Sequence, residues 1–381
     1  MSDITHFDYI IVGNGLAGLQ LALKFASDEA FKDKSFALID PSEKTENDKT
    51  WSFWSTNPNP WKSIIHKSWN SAEILTSENS IQLQLRPYAY NSIRSIDFYT
   101  EATSKLKQLS NFHFILDEVD AISKDSTVQV KAKHNTYTTT HVFDSRIPEA
   151  FYSEENSKIS LIQHFKGWIV STETDTFDDS RVTMMDYRLK DGNQTTFMYV
   201  LPFSKREALV EFTYFTEHTV SESTYDDYIK QYITEILKID NYSIKETEMG
   251  QIPMTNFNFS KFNTEKITKI GTGGGWVKGS TGYSFRLTEK KVAQIIQNIK
   301  AKKLPSAGLF KSKYRFYDKV FLKVLKDDNH KGEWVFKQFY GKNKIETMFR
   351  FLDEESTLLE DIKIMSSLFS WAFIKAFFKT L

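Results

Sequence analysis

The stretch that decides the fold is YIIVGNGLAGLQLALKFASDEAFKDKSFALID, residues 9–40. It opens with a short apolar run, Tyr9–Val12, and continues through a glycine-rich turn into residues with helical spacing of apolar side chains. A second apolar run then ends at Asp40. Short apolar runs on both sides of a helix are typical of parallel strands that are buried on both faces. The pattern therefore predicts the β-α-β unit that begins a Rossmann-like domain.

The glycine-rich turn matches the dinucleotide-binding fingerprint, Gly-x-Gly-x-x-Gly. Gly13 permits the tight turn, Gly15 lets the backbone approach a pyrophosphate, and Gly18 lets the helix pack closely on the strand. The amide groups of the first helical turn, at Leu16 and Ala17, would favour the negative charge of that pyrophosphate. A tight strand-to-helix turn that binds no nucleotide is the alternative.

Asp40 lies 22 residues after Gly18, where its carboxylate could accept hydrogen bonds from the ribose hydroxyls of a nucleotide. FAD and NAD(P) share this fingerprint, and two further features favour a flavin. A fingerprint this close to the first residue is typical of flavoproteins. A second glycine-rich stretch, with Thr272, Gly273, Gly274 and Gly275, follows an apolar run far downstream. Together, the two glycine-rich stretches predict a two-part flavin site, although the second stretch by itself could be a flexible turn.

The rest of the chain divides into regions of different pattern. Residues 41–70 have the composition of a loop, residues 160–255 contain β-rich runs separated by turn residues, and the chain from about residue 306 is helical in pattern. We expect a mixed α/β fold: an FAD-binding domain interleaved with an antiparallel sheet that binds substrate, and a helical C-terminus. The predicted domains are residues 1–75, 92–155 and 262–305 for the first, 76–91 and 156–261 for the second, and 306–381 for the third.

Composition excludes several classes of function. The 381 residues contain 49 basic and 49 acidic side chains, which argues against a broad surface for nucleic acid. There is no cysteine, and the eight histidines have no metal-ligand spacing, so we predict no metal site.

Seven segments together resemble the soluble-type FAD-dependent lycopene β-cyclases, which share a fold group with flavin hydroxylases and geranylgeranyl reductases. The resemblance implies bound FAD that must be reduced, NADPH as the usual electron source, and lycopene or a related ψ-ended carotene as substrate. The segments, in order, are VGNGLAGLQLAL from Val12, NDKTWSFW at Asn47–Trp54, FDSR at Phe143–Arg146, QHFKGW at Gln163–Trp168, MDYR at Met185–Arg188 with the strands that follow it to Phe215, EMGQIPM at Glu248–Met254, and GTGGGWVKGSTGYSF at Gly271–Phe285.

The resemblance also implies roles for individual residues. Glu211 aligns with the family's catalytic glutamate, and Trp51, Gly282 and Tyr283 fall in segments near the flavin. Two departures concern acids: Thr272 stands where bacterial relatives often have aspartate, and Phe212 stands where a second acid often follows the glutamate. Lys49 replaces an arginine of the second segment.

The implied reaction needs a proton donor, because cyclisation starts by protonating an alkene carbon of the ψ end. A glutamate can hold its proton at neutral pH when it is buried among apolar groups. We expect Val210, Phe212, Tyr214 and Phe215 to supply that environment for Glu211; a solvent-facing strand glutamate is the alternative. Glu217 would lie roughly 20 Å further along the strand, too far to be its partner.

Lycopene dissolves in lipid, so the resemblance implies peripheral contact with a membrane. Residues 362–378 form an almost entirely apolar segment with Lys375, which could lie in the membrane interface or pack on the core. No segment approaches the roughly 20 apolar residues that span a bilayer, and the first residues do not have the pattern of a secretory signal. We expect a cytoplasmic protein at the cytoplasmic membrane, with no prediction of its oligomeric state.

Two other functions stay open. A redox flavoprotein, either a hydroxylase or a prenyl-chain reductase, is the first, although the hydroxylases usually have Asp-Gly where this chain has Asp144 and Ser145. A carotenoid- or flavin-binding protein without catalysis is the second.

Overall fold

The computed structural model describes residues 5–56, 59–123, 127–153 and 159–381. Within these ranges the chain forms three sheets and a set of helices that is densest toward the C-terminus. The strands are β1 (Thr5–Val12), β2 (Phe36–Asp40), β3 (Thr50–Ser55), β4 (Lys67–Trp69), β5 (Ser71–Leu75), β6 (Ser80–Gln84), β7 (Ala89–Arg94), β8 (Phe112–Leu116), β9 (Val119–Ser123), β10 (Val128–Ala132), β11 (Thr136–Asp144), β12 (Ser160–Ser171), β13 (Val182–Asp186), β14 (Thr196–Ser204), β15 (Glu207–Thr216), β16 (Ser243–Thr255) and β17 (Ile267–Lys269).

The helices include the predicted one after the glycine turn and the predicted C-terminal group. They are α1 (Leu16–Ala26), α2 (Ser95–Lys107), α3 (Ala150–Ser153), α4 (Glu222–Gln231), α5 (Phe285–Lys300), α6 (Ser312–Asp327), α7 (Gly332–Lys342), α8 (Ile345–Leu352), α9 (Leu358–Ser367) and α10 (Trp371–Thr380). None of them, in the part of the chain that the structure describes, is long and apolar enough to cross a bilayer.

The first sheet confirms the predicted Rossmann-like unit. Its order is β8-β2-β1-β11-β10-β9, with β17 also paired to β11. The pairs β1–β2, β2–β8, β1–β11 and β11–β17 are parallel, and all five residues of β2 are buried. One face packs against α1, α2 and α5, because those helices direct Leu19, Phe98 and Ile295 into the same apolar core.

The second sheet confirms the predicted antiparallel region and places it beside the C-terminal helices. Its order is β16-β12-β15-β14-β13-β5-β6, and only the β5–β13 pair is parallel. One face packs on α6, α7, α8 and α9 through a core that includes Leu325 and Met348. The other face packs on α4 through Val210, Phe212 and Tyr225. The mixed α/β fold with a helical C-terminus is therefore confirmed.

Two sequence-based boundaries need correction. Residues 41–70, predicted as a loop, contain β3 and β4, which pair with β7 in a third, three-stranded sheet. These pairings join residues that are 21 to 44 positions apart in the chain, and turn composition does not reveal them. The chain also enters the second sheet at Ser71, in β5, before the predicted boundary at residue 76. Residues 57–58 and the boundary predicted at 155/156 lie outside the described residues, and the division into domains stays a prediction.

Close packing at Gly18 gives a test of this fold. A Cβ atom at Gly18 would lie 2.0 Å from the carbonyl oxygen of Gly13, which is backbone and cannot rotate away. We expect Gly18→Ala to lower the free energy of unfolding by roughly 1–3 kcal/mol, as overpacking does in other cores, measured by thermal and urea denaturation. The control is Gly341→Ala in α7, where the new Cβ meets only a side-chain methyl at 3.4 Å. An equal loss in both variants would contradict the packing at Gly18.

Candidate active site

One cavity of about 460 Å³ joins the glycine turn to the second sheet. Its wall contains Gly15, Leu16, Ala17 and Gly18 from the first sheet's turn and Glu211 from β15. The same wall includes several other residues that the sequence singles out, namely Trp51, Thr272, Gly282, Tyr283 and Phe285. Elements more than 190 residues apart in the chain therefore meet around a single space.

The turn before α1 has the geometry of a nucleotide-binding turn. Gly13 adopts a φ of +102°, which favours glycine, and helix α1 begins at Leu16. A Cβ at Gly15 would meet no atom within 4 Å, so the backbone there is open to a ligand. The first amide groups of a helix have no partner inside the helix, and those of Leu16, Ala17 and Gly18 are at the cavity wall.

Asp40 lies at the end of β2, behind the turn and away from the cavity wall. Its carboxylate accepts hydrogen bonds from the amides of Asn14 (2.7 Å) and Ser42 (2.8 Å), and Lys44 forms an ion pair with it at 3.2 Å. The carboxylate thus fixes the turn itself. A carboxylate can accept about four hydrogen bonds, so its capacity for a ribose hydroxyl is not exhausted.

The second glycine stretch packs against the end of β11. A Cβ at Gly273 would lie 2.3 Å from the carbonyl oxygen of Arg146, so this approach requires glycine. Thr272, Gly282 and Tyr283 reach the cavity, whereas Gly273 and Gly274 are buried behind it and Gly275 borders a smaller neighbouring cavity.

These features fit the dinucleotide cofactor that the sequence predicts. Both glycine stretches border one cavity, as a two-part site requires. The side-chain oxygens of Gln163 and Thr281, both at the cavity wall, are buried without a hydrogen-bond partner. A ligand with hydrogen-bonding groups would satisfy such atoms.

Glu211 is buried near the middle of the second sheet, with 7% of its surface exposed. It is the fifth residue of β15, and β15 has two strands of the sheet on one side and four on the other. The hydroxyl of Thr213 donates a hydrogen bond of 2.6 Å to Oε1 of Glu211. The predicted alternative, a solvent-facing glutamate, does not describe this position.

The residues around Glu211 differ from those expected. Val210, Phe212 and Tyr214 belong to the core on the opposite face of the sheet, because side chains alternate along a strand. Phe215 does line the cavity. The apolar surroundings of Glu211 come instead from other strands, through Phe165, Met184, Met185 and Phe197.

Glu248 is the functional residue that sequence reasoning missed. Glu248 on β16 and Glu211 on β15 are both directly opposite Gly167 on the intervening strand β12. The two carboxyl groups lie close enough across that glycine for each to influence the pKa of the other. The hydroxyl of Thr50 also donates to Oε2 of Glu248 at 2.7 Å. Glu248 lies within the sixth family segment, but its partner is 37 residues away in the chain.

The pair has an electrostatic asymmetry. Burial raises the pKa of Glu211 well above its usual range, and the charge of Glu248 raises it further. The pKa of Glu248 is also raised, mainly by burial, although the hydrogen bond from Thr50 lowers it in part. Burial and the neighbouring acid therefore favour the protonated form of Glu211.

A group of tyrosines completes the wall beside Glu211. Tyr199 is directly opposite Glu211 on β14, and its hydroxyl donates to Ser52 at 2.8 Å. The hydroxyl of Tyr90 lies 2.8 Å from that of Tyr199 and 3.0 Å from that of Tyr283. Burial raises the pKa of all three phenols well above 10, so they remain neutral.

The remaining acid of interest, Glu217, is not part of this site. Its carboxylate forms an ion pair of 2.9 Å with Lys326 at the surface.

Comparison with solved structures shows the fold. A geranylgeranyl bacteriochlorophyll reductase-like protein from Thermoplasma acidophilum is 10% identical, with a TM-score of 0.64 over 99% of this chain and 100% of that one. A flavoprotein/dehydrogenase from Cytophaga hutchinsonii is 10% identical, with a TM-score of 0.58 over 95% and 99%. A probable FAD-dependent monooxygenase from Pseudomonas aeruginosa is 10% identical, with a TM-score of 0.55 over 92% and 100%. The chain thus has the fold of these flavoproteins.

Comparison with sequences shows the family. No curated protein sequence matches this chain. The family model described as "Lycopene cyclase protein" matches residues 8–377, nearly the whole chain. The protein therefore belongs to the lycopene cyclase family.

Proposed function

We propose that this protein is a lycopene β-cyclase that converts the ψ ends of lycopene to β rings by acid catalysis. The observation that carries the proposal is the position of Glu211, a buried carboxyl that holds its proton and lies on the wall of the same cavity as the nucleotide turn. An alkene is a weak base, and a donor that is kept from water and aimed into an apolar cavity suits its protonation.

The chemistry requires no net oxidation of the substrate. Glu211 gives its proton to an alkene carbon of the ψ end, a tertiary carbocation forms, and a neighbouring double bond attacks that cation to close the ring. Loss of a proton then completes the isomerisation. Apolar residues such as Phe165, Met185 and Phe197 exclude water that would otherwise capture the cation.

Aromatic side chains in the cavity favour a positive charge on carbon. The faces of Trp51, Tyr199 and Tyr283 offer the negative part of an aromatic quadrupole to a cation. The hydrogen bonds among the tyrosine hydroxyls orient these rings before substrate binds. Because the phenols stay neutral, they add no competing proton donor with a low pKa.

FAD is the cofactor that the site fits. We propose that Gly13, Gly15 and Gly18 with the first amides of α1 hold its pyrophosphate, and that the second glycine stretch with Gly282 and Tyr283 borders its ring. The reduced flavin, with NADPH as electron source, would supply negative electrostatic potential that stabilises the cation.

The first prediction concerns the proton donor. In a lycopene-accumulating host, we expect the wild-type chain to convert lycopene to β-ring carotenes. Glu211→Gln should retain flavin and lower turnover by about a hundredfold or more, since Gln has no acidic proton to give. The matched control, Glu217→Gln, should retain turnover. Normal cyclisation by Glu211→Gln would rule out this donor, and products with added oxygen or hydrogen would favour a monooxygenase or a prenyl-chain reductase.

The second prediction concerns the cofactor. Gly15→Ala places a methyl group in the open space where the pyrophosphate is expected. We expect the purified variant to contain much less flavin, measured by its visible absorption, while its thermal unfolding without flavin changes little. Gly341→Ala serves as control and should retain flavin. Equal flavin content in the two variants would show that the turn does not bind the cofactor.

The C-terminal helices support the expected contact with a membrane. Of the fifteen large hydrophobic residues that are exposed in the described part of the chain, nine lie between residues 358 and 381. Helix α10 packs on α6 through its small residues Ala372 and Ala376 and turns Trp371 and Phe378 outward, where they are 77% and 70% exposed. These helices leave a group of exposed apolar residues, which we call the C-terminal apolar surface and define by Leu358, Ile362, Met365, Phe369, Trp371, Phe378 and Leu381.

Charge supports a lipid bilayer as the occupant of this surface. Residues 358–381 contain three lysines and two acids, Glu360 and Asp361, and both acids are paired with basic side chains outside this segment. Lys363 and Lys375 are exposed beside the apolar residues, where they could reach anionic headgroups. A carotene is dissolved in the bilayer, so this contact would bring the enzyme to its substrate.

The third prediction tests that contact with vesicles. The wild-type chain should sediment with phosphatidylcholine vesicles that contain phosphatidylglycerol and less with phosphatidylcholine alone. Trp371→Glu with Phe378→Glu should weaken binding by about tenfold or more, because two large apolar side chains no longer enter the lipid. The control pair, Leu116→Glu with Leu304→Glu, changes exposed leucines elsewhere and should bind normally. Unchanged binding of the first pair, or loss of a lipid-free dimer in it, would contradict membrane contact.

A further inference from the structure

A row of residues crosses the second sheet through the active site. Glu248, Gly167, Glu211 and Tyr199 are paired in turn across β16, β12, β15 and β14. Residues paired in this way project to the same face of a sheet. The two glutamates are therefore separated by one whole strand, and their carboxyl groups meet only because the residue between them has no side chain.

Glycine is required at position 167 because neighbouring side chains leave little room for a Cβ atom, and not because of its backbone conformation. Gly167 is absent from the positions with positive φ, so its backbone suits any residue. A Cβ at this position would lie 3.3 Å from Cβ of Glu211, 3.4 Å from Cγ of Glu248 and 2.8 Å from a methyl of Leu209. Glycine weakens a strand interior and often marks a close approach. Here the groups that approach are the methyl of Leu209 and the two acidic side chains.

Each carboxyl of the pair accepts a hydrogen bond from one threonine hydroxyl. Thr213 donates to Glu211, and Thr50 donates to Glu248. Each hydroxyl uses one carboxyl oxygen, and the contact between the two acids remains for their shared proton. Two buried carboxyls in contact cannot both ionise without strong repulsion, so one of them keeps a proton.

We propose that Glu248 is a positioning residue that holds the catalytic proton on Glu211, and that Gly167 provides the gap through which the two carboxyls meet. The catalytic meaning of this inference rests on the proposed cyclase function, whereas the proton itself can be observed without turnover.

The charges near the pair come from both sides of the site. Glu246 and Asp48 act on Glu248 from β16 and from the segment before β3, and both raise its pKa. Arg94 pairs with Glu246, and Lys49 pairs with Asp48, which offsets these two negative charges. On the other side, Glu211 faces the neutral phenols of Tyr199 and Tyr283. None of the main influences on the pKa of either glutamate is a cation.

The sign of the expected effect follows from the negative charge on Glu248. That charge favours the protonated form of Glu211, so its removal lowers the pKa of Glu211 and the proton is lost at a lower pH. Glu248→Gln retains an oxygen that can accept the hydrogen bond but removes the charge. Gly167→Val retains both acids and fills the gap between them, and Gly167→Ala is a milder form should valine prevent folding.

The experiment follows the infrared C=O band of a protonated carboxyl in the purified chain as the pH rises. The band is assigned to Glu211 by its loss in Glu211→Gln. We expect it to disappear at lower pH in Glu248→Gln and in the Gly167 variant than in the wild type, with Glu217→Gln unchanged. Cyclase activity at pH 8 should fall about tenfold or more in Glu248→Gln, less at pH 6, and partly recover in Glu248→Asp.

Two results would overturn the inference. The wild type could lack any band that depends on Glu211, or the band could titrate identically with and without Glu248. If the band shifts as expected but the wild type makes no cyclic carotene, the proposed function fails while the paired carboxyls stand.

Discussion

The site depends on one constraint, which is that a carboxylic acid must stay protonated inside a cavity without a cation beside it. In water a glutamate is ionised at neutral pH. The protein avoids this by placing Glu211 in the interior of a seven-stranded sheet and a second carboxyl across one strand from it. Burial and the neighbouring acid raise the pKa of Glu211 and so serve that requirement, and the glycine at 167 leaves room between the two acids.

Close backbone packing forms the side of the cavity that the two glycine stretches border. Gly18 touches the backbone of Gly13, and Gly273 touches that of Arg146. These contacts bring the N-terminus of α1, the end of β11 and the second glycine stretch to one side of the cavity. A larger residue at either position would separate elements that must border the same cofactor. The two-part site therefore requires glycine at both positions.

The family match and the structural neighbours show different things: the first gives the family of this chain, and the second give its fold. The neighbours share the fold at about 10% identity, and their described activities include reduction and oxygenation. A shared fold does not fix a reaction. The proposed cyclisation therefore rests on the buried acids of the second sheet, because an alkene cyclase needs a proton donor, and not on the fold.

The sequence by itself determined the local elements and the identity of one acid. The β-α-β unit, the β-rich runs around Glu211 and the helical C-terminus follow from short-range pattern, which a single sequence contains. The role of Glu211 followed from the resemblance to a family and not from the pattern of its strand. Only the tertiary structure decided that Glu248 faces Glu211, that Gly167 separates them, that Val210 and Phe212 point away, and that β3 and β4 interrupt the expected loop. These facts depend on strand register between segments far apart in the chain, and register is fixed by the packing of the whole sheet and not by the residues of any one strand.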